Sequence, residues 1–245
     1  IEGERIDAVG RGLAGDREVD LAGIRLLPGM IDVHVHFREP GAPHKETWTT
    51  GSRSAAAGGV TTVVDQPNTD PPTIDGRAYD GKAAIARQAL VDFGLNGGVT
   101  PNWDPDSLFG RPLFALGEVF LADSTGDMGI EADLFADACR RAAAADVPVT
   151  VHAEDATAFD ASARDRTDPA AWSDYRPARA ERAAVRTACR LGGETNAAVH
   201  IAHTSTPAGI DLAAEHGATC EVTPHHLLLS RDDLDDLGTF GRMNP

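Results

Sequence analysis

Residues 26–41 read Leu26-Leu-Pro-Gly-Met-Ile-Asp-Val-His-Val-His-Phe-Arg-Glu-Pro-Gly41. The apolar run before the two histidines predicts a strand, and Pro40-Gly41 predicts a turn just beyond it. Side chains alternate along a strand, so His34 and His36 project from the same face near its carboxyl end. Two imidazoles beside Arg38 indicate a metal site that binds an anionic substrate. This segment alone leaves open a pair of structural histidines, because imidazole serves several roles.

Strand and helix signals alternate over most of the chain. Apolar or β-branched runs predict seven strands at Met30–Phe37, Gly59–Asp65, Val91–Val99, Leu116–Ala122, Val147–Ala153, Ala198–Thr204 and Thr219–Pro224. Ala-rich segments predict helices at Thr47–Ala57, Tyr79–Leu90, Ile130–Ala145, Pro177–Leu191 and Pro207–His216. This alternation is typical of an α/β fold with a parallel sheet, and seven strands are one short of a (β/α)8 TIM-type barrel.

The first 27 residues have a different pattern. Short apolar pieces separated by glycine and charged residues predict small β-hairpins outside the barrel. We therefore divide the chain into residues 1–27, part of a small β-sandwich domain, and residues 28–245, a metal-dependent hydrolase barrel without its eighth strand.

The amino-acid composition limits which partners the protein is expected to bind and which cellular compartment it is expected to occupy. The net charge of −16 argues against nucleic acid or an anionic membrane as a partner. The only lysines are Lys45 and Lys82, and an acidic excess with so little lysine is typical of a protein that stays soluble at high salt. A GC-rich genome would favour the same residues. No run approaches the roughly 20 apolar residues of a membrane span, and three widely spaced cysteines favour a reduced cytoplasm.

Polar side chains cluster where the predicted strands end. They are Asp65-Gln-Pro-Asn-Thr69, Glu118, Asp123, His152-Ala-Glu-Asp155, His203-Thr-Ser205 and His225-His226. In a (β/α)8 barrel the functional side chains gather at the carboxyl ends of the strands. Four imidazoles with a bridging carboxylate can hold two zinc ions, which polarise a carbonyl and lower the pKa of a bound water toward about 7. The pattern therefore predicts hydrolysis of an amide-like bond.

The segment Pro28–Gly41 resembles the dihydroorotase signature of the amidohydrolase superfamily. Further motifs follow in family order: Gln66-Pro-Asn-Thr69 with Pro71-Pro72, Val151-His-Ala-Glu154, His200-Ile-Ala-His-Thr-Ser205, Glu221-Val-Thr-Pro-His-His-Leu227 and Met243-Asn-Pro245. The resemblance covers about residues 25 to 245. It implies a zinc-dependent enzyme of pyrimidine synthesis that reversibly cyclises N-carbamoyl-L-aspartate to L-dihydroorotate. A homodimer is one oligomeric state that it leaves open.

The resemblance also implies roles for individual residues. The ligands of one or two zinc ions would be His34, His36, His152 and His203. Arg38 would pair with the substrate carboxylate, a role that suits the planar fork of a guanidinium. The amides of Asn68 and Asn244 would hydrogen-bond the same substrate.

Two departures from the family pattern matter. Many relatives bridge the metals with a carboxylated lysine on strand four, but this chain has no lysine after Lys82. We expect Glu118 to bridge instead, with Asp123 as the rival, although a glutamate is shorter than a carboxylated lysine and requires metals closer to the strand. The family's proton-transferring aspartate on strand eight would lie beyond Pro245, so we expect the 245-residue chain alone to be inactive.

Two other readings of the function remain open. The first is another cyclic amidohydrolase, such as an allantoinase or a dihydropyrimidinase. Arg38 and Asn68 weigh against it, since they favour a substrate with a free carboxylate. The second is a non-catalytic scaffold for a partner such as a carbamoyltransferase, which would have no need for four placed imidazoles.

Overall fold

The computed structural model describes residues 1–122 and 128–245. Strands in these residues are β1 (Met30–Val35), β2 (Val60–Asp65), β3 (Asp92–Leu95), β4 (Leu116–Ala122), β5 (Val149–Glu154), β6 (Val199–Ile201) and β7 (Thr219–Cys220). The α-helices are α1 (Trp48–Ala57), α2 (Gly76–Ala86), α3 (Pro105–Phe109), α4 (Ala132–Ala144), α5 (Ala171–Tyr175), α6 (Ala178–Thr195), α7 (Pro207–Glu215), α8 (Pro224–Leu228) and α9 (Leu234–Leu237). Among the helices of this described part, none is long and apolar enough to cross a membrane.

All paired strands run parallel, in the order of the chain. One sheet has the order β1-β2-β3 and the other β4-β5-β6-β7. An isolated parallel bridge between Gly97 and Leu116 connects the two sheets. The predicted parallel α/β architecture is therefore confirmed, whereas closure into a (β/α)8 barrel stays a prediction.

The third strand is shorter than the segment Val91–Val99 predicted from its apolar residues. The backbone N–H of Asn96 still donates to Asp65 on β2, but the N–H of Gly97 donates to Ala115, just before β4. The chain changes its pairing partner at this point, so the strand against β2 ends at Leu95.

Capping residues determine where the helices after β1 and β2 begin. The Thr47 side chain accepts the N–H of Thr50 and forms a capping box with it at the start of α1. Asp75 accepts the N–H of Ala78 at 2.7 Å at the start of α2. These capped starts leave the loops after β1 and β2 free to carry the polar residues at the strand ends.

The core lies where the helices cover the parallel strands. Trp48 on α1 and Phe135 on α4 are fully buried, as are Leu116 and Val149 on the neighbouring strands β4 and β5. Helices that cover a parallel sheet bury its apolar side chains, which is the packing expected of βα units. This packing therefore holds the strands, and with them their carboxyl ends, in fixed positions.

The N-terminal segment packs little against this core. Residues 1–32 are exposed, and within residues 1–29 the described pairing is one isolated antiparallel bridge, between Glu2 and Arg5. The small hairpins expected in residues 1–27 are therefore not formed. The assignment of this segment to a small β domain stays a prediction.

Candidate metal centre

Strand order brings the predicted ligands to one rim of the fold. His34 lies on β1, Glu118 on β4 and His152 on β5, while His36 and His203 follow β1 and β6 closely. Because the strands are parallel, their carboxyl ends meet on the same side. All five side chains line one cavity of about 580 Å³.

The carboxylate of Glu118 lies at the centre of the four imidazoles. Its Oε1 is 3.1 Å from His152 Nδ1 and 2.5 Å from His203 Nε2. Its Oε2 is 3.5 Å from His34 Nε2 and 3.7 Å from His36 Nε2. The side chain thus belongs to two groups, which we call the first donor group (His34, His36 and Glu118) and the second donor group (Glu118, His152 and His203).

The spacing of these atoms fits divalent metal ions. In each donor group the ligand atoms lie within 4.8 Å of one another. Two ligands that each bind one zinc at about 2.0–2.1 Å in tetrahedral geometry are about 3.3 Å apart. The two imidazole pairs match this, at 3.2 Å for His34 Nε2 and His36 Nε2 and 3.1 Å for His152 Nδ1 and His203 Nε2. The residues present therefore fit a metal pair that shares one carboxylate.

Although a glutamate is shorter than a carboxylated lysine, the oxygens of Glu118 lie within 3.7 Å of all four imidazoles. One carboxylate oxygen faces each donor group, because the backbone brings Glu118 close to the imidazoles. Its rival Asp123 lies outside the described residues, so the choice between the two stays a prediction.

A close backbone approach places Glu118. Gly117 has φ +138°, and a Cβ at this position would lie 2.2 Å from the carbonyl oxygen of Thr150 on β5. Only glycine allows this contact and this backbone conformation. On the other side, the Glu118 N–H donates to Gln66 Oε1 at 2.9 Å, and Asn96 Nδ2 donates to the same oxygen at 3.1 Å. The backbone of Glu118 is therefore held by β5 on one side and by Gln66, after β2, on the other.

The charges of the cluster favour an ionised carboxylate. Burial favours the protonated form of Glu118, but hydrogen bonds from His152, His203 and His34 outweigh it and hold the pKa well below its usual range. His36 behaves differently, since burial lowers its pKa to about 3 and keeps its imidazole neutral. A neutral imidazole and an ionised carboxylate are the forms that bind a metal.

Two of the histidines bind protons strongly in the metal-free protein. Burial lowers the pKa of His34, but the carboxylates of Glu118 and Glu221 outweigh it and raise the pKa to about 10. Burial likewise opposes protonation of His152, and Glu118 and Glu154 raise its pKa to about 9. The excess of carboxylates around these rings therefore attracts cations, protons or metal ions alike.

The predicted substrate residues line the same cavity. Arg38 has φ +59°, and within residues 1–122 and 128–245 its guanidinium makes no hydrogen bond or ion pair. The neighbouring Glu39 accepts the backbone N–H of Trp48 at 3.0 Å instead of pairing with it. The Oδ1 of Asn68 is 2.8 Å from His36 Nδ1, and the Oδ1 of Asn244 accepts the Trp172 indole N–H at 2.9 Å. Within the part of the chain that the structure describes, neither amide NH2 group has a hydrogen-bond partner, so both can donate to a ligand.

Sequence reasoning gave no role to Glu221, Glu154 or Trp172. Glu221 Oε1 lies 2.5 Å from His34 Nδ1, and Glu154 Oε2 lies 2.8 Å from His152 Nε2. Glu154 stood in the His-x-Glu motif of strand five, where its alternation with His152 could have indicated the contact. The sequence around Glu221 and Trp172 contains no pattern that predicts their hydrogen-bond partners.

Other polar residues at the strand ends do not join the cluster. Asp65 forms a buried ion pair with Lys82, with 2.5 Å between its Oδ2 and the lysine Nζ. His225 and His226 line a neighbouring cavity of about 400 Å³. His200 hydrogen-bonds Thr219 at 2.8 Å, consistent with a structural role.

A parallel α/β fold with clustered imidazoles and a carboxylate at its strand ends is typical of metal-dependent hydrolases. The model of the family described as dihydro-orotase-like matches residues 23–208. The chain belongs to this dihydro-orotase-like family.

Relatives with curated names agree with this. A dihydroorotase from Halobacterium salinarum is 69% identical over 247 residues, which cover 100% of this chain and 58% of the relative. An allantoinase from Rubrobacter xylanophilus is 39% identical over 257 residues, covering 98% of this chain and 57% of the relative. The chain thus spans somewhat over half the length of these relatives.

Solved structures show the same fold. A D-hydantoinase from Bacillus sp. AR9 is similar with a TM-score of 0.84 and 27% identity, over 98% of this chain and 56% of that one. An L-hydantoinase (dihydropyrimidinase) from Arthrobacter aurescens gives a TM-score of 0.83 and 27% identity, over 89% of this chain and 52% of that one.

Proposed function

We propose that the protein is a dihydroorotase, which reversibly cyclises N-carbamoyl-L-aspartate to L-dihydroorotate with loss of water. One observation carries the proposal: the Arg38 guanidinium, which has no hydrogen bond or ion pair within the described residues, faces the same cavity as the four imidazoles around Glu118. Such a cavity suits a cyclic amide that also bears a carboxylate.

The metal would be held by the two donor groups. We propose Zn²⁺, since imidazole nitrogens with one carboxylate are donors that zinc prefers. When bound, it would polarise the amide carbonyl and lower the pKa of a water. We further propose that the seven strands belong to a (β/α)8 barrel and that the protein is cytoplasmic, as expected from the sequence, whereas a homodimer is one oligomeric state that the sequence leaves open.

The chain's own residues would bind and orient the substrate. N-carbamoyl-L-aspartate has two carboxylates, of which one closes the ring and the other stays free. Arg38 would pair with the free carboxylate through two parallel N–H donors. The NH2 groups of Asn68 and Asn244 would donate to the ring, because their oxygens are already engaged by His36 and Trp172. These contacts would hold the reacting amide against the donor groups.

The carboxylate distinguishes this function from its nearest alternative. Allantoin and dihydrouracil are cyclic amides without a carboxylate on the ring, so they would leave Arg38 buried against the ligand without a counter-ion. An unpaired charge of this kind is costly, and it would select against these substrates.

The test is hydrolysis of dihydroorotate, allantoin and dihydrouracil by the purified full-length protein loaded with zinc. We expect turnover of dihydroorotate only, and we expect Arg38→Ala to reduce kcat/KM about 10- to 100-fold, the effect of a lost charge-assisted hydrogen bond pair. Arg53→Ala is the matched control, since Arg53 is exposed on α1. Preferred turnover of allantoin, or a protein that binds zinc but turns over none of the three, would overturn the proposal.

A further inference from the structure

Two carboxylates outside the donor groups contact ligand histidines. We propose that Glu154 and Glu221 are positioning residues, and that each controls the metal affinity of a different donor group. This inference rests on the metal centre proposed above, and it assigns roles to two residues that the proposed function does not use.

Glu154 holds the ring of His152 from the second donor group. It lies at the end of β5, its side chain is 1% exposed, and its Oε2 is 2.8 Å from His152 Nε2. The imidazole donates from Nε2, which leaves Nδ1 directed at Glu118. A carboxylate on the outer nitrogen of a ligand histidine orients the ring and makes the inner nitrogen a stronger donor.

Arg176 keeps Glu154 in place. Its Nε lies 3.1 and 3.2 Å from the two carboxylate oxygens, and a terminal nitrogen also donates to Oε2. The guanidinium lies 4.8 Å from the centre of the Phe159 ring and 5.5 Å from that of Trp172. Such a clamped carboxylate does not rotate freely, so the orientation that it imposes on His152 is rigid.

Glu221 has the equivalent contact with His34 from the first donor group. It follows β7, and its Oε1 is 2.5 Å from His34 Nδ1, so His34 presents Nε2 to the group. Its Oε2 is 3.3 Å from His200 Nε2, and Thr219 in turn holds His200 Nδ1 at 2.8 Å. The carboxylate is thus fixed from β6 and β7 while it orients a ligand on β1.

The two carboxylates act on separate groups. Glu154 contacts the second donor group alone, and the Glu221 side chain contacts an imidazole of the first. Glu221 Oε1 also accepts the backbone N–H of His203 at 3.2 Å, which a glutamine oxygen can still accept. Changing each carboxylate to an amide should therefore weaken one metal and spare the other.

The experiment titrates metal-free protein with Cd²⁺ and follows bound cadmium by NMR, because each donor group gives its own resonance. Variants His36→Asn and His152→Asn assign the two resonances. We expect Glu154→Gln to weaken cadmium binding about 10- to 100-fold at the second donor group, and Glu221→Gln to do so at the first. Each variant is the control for the other, and Glu215→Gln tests an exposed glutamate.

The remaining outcomes are also decisive. Equal effects of both variants on both resonances, or no effect of either, would overturn the inference while leaving the metal centre intact. A parent protein that binds no cadmium would overturn both proposals. Circular dichroism checks folding, and Glu154→Gln with Arg176→Gln, or Glu221→Asp, replaces a variant that does not fold. Failure of these replacements to fold would also overturn the inference, because the carboxylates would then support the fold itself.

Discussion

Replacement of Glu118 by alanine tests the centre most directly, because this side chain is the donor that both groups share. Each group loses one of its three donors. Loss of an outer partner of a ligand already reduces metal affinity about 10- to 100-fold, so loss of a direct donor should cost about 100-fold or more at each site. That corresponds to about 2.7 kcal/mol of binding free energy per metal.

This loss of affinity is large enough to change the number of bound metals measurably. At a free zinc concentration about ten times the parent dissociation constant, each parent site is about 90% full, and a 100-fold weaker site is about 10% full. Equilibrium dialysis at that free concentration, followed by atomic emission, should therefore find about two metals in the parent protein and fewer than one in Glu118→Ala.

The control variants separate the competing explanations. Asp123→Ala should keep both metals if Glu118 is the bridge. Glu118→Gln keeps the side-chain volume and one oxygen, so its metal content should lie between those of the parent protein and the alanine variant. Unchanged two-metal occupancy in Glu118→Ala, with loss in Asp123→Ala, would refute the reasoning and identify Asp123 as the bridge.

Three further predictions follow from contacts around the centre. Lys82→Met leaves Asp65 buried without the counter-ion that lies 2.5 Å away, so urea denaturation should show a loss of about 3–5 kcal/mol in unfolding free energy. Adding Asp65→Asn to the Lys82→Met protein should restore most of this stability. A loss below about 1 kcal/mol in Lys82→Met would contradict the prediction. Trp172→Phe keeps an aromatic ring at this position but removes the N–H that holds Asn244. The KM for dihydroorotate should therefore rise about 2- to 10-fold at constant metal content, and an unchanged KM would count against this role. Neighbouring carboxylates outweigh burial and raise the pKa of His34 to about 10 and that of His152 to about 9. Zinc binding at about pH 8 should therefore release about two protons, one from each ring, and this release should disappear above about pH 10. Calorimetry in buffers of different ionisation enthalpy measures it, and equal enthalpies in all buffers would exclude it.

Several features of the site follow from local sequence. His34 and His36 share a face because strand side chains alternate, and His152 and His203 lie at the ends of later predicted strands. Parallel strands bring such ends together whatever the details of packing. The positions of these four imidazoles on one rim were therefore predictable without coordinates.

The third strand shows where local reasoning fails. The predicted strand continues to Val99, but the backbone changes its hydrogen-bond partner from β2 to the segment before β4 at Gly97. Propensity describes which residues can form a strand, whereas pairing depends on which neighbour lies alongside. The same limit applies to residues 1–27, whose short apolar pieces do not pair with each other in the described structure.

The sequence by itself determined the alternation of strands and helices and the position of four histidines and Arg38 near strand ends, because residue periodicity and strand ends are local properties. Only the tertiary structure decided that the Glu118 carboxylate reaches both donor groups, and that His34 meets Glu221, 187 positions away in the chain. The physical reason is that side-chain contacts across a sheet depend on register, twist and close backbone approach, as at Gly117, and these arise only when distant strands pack together.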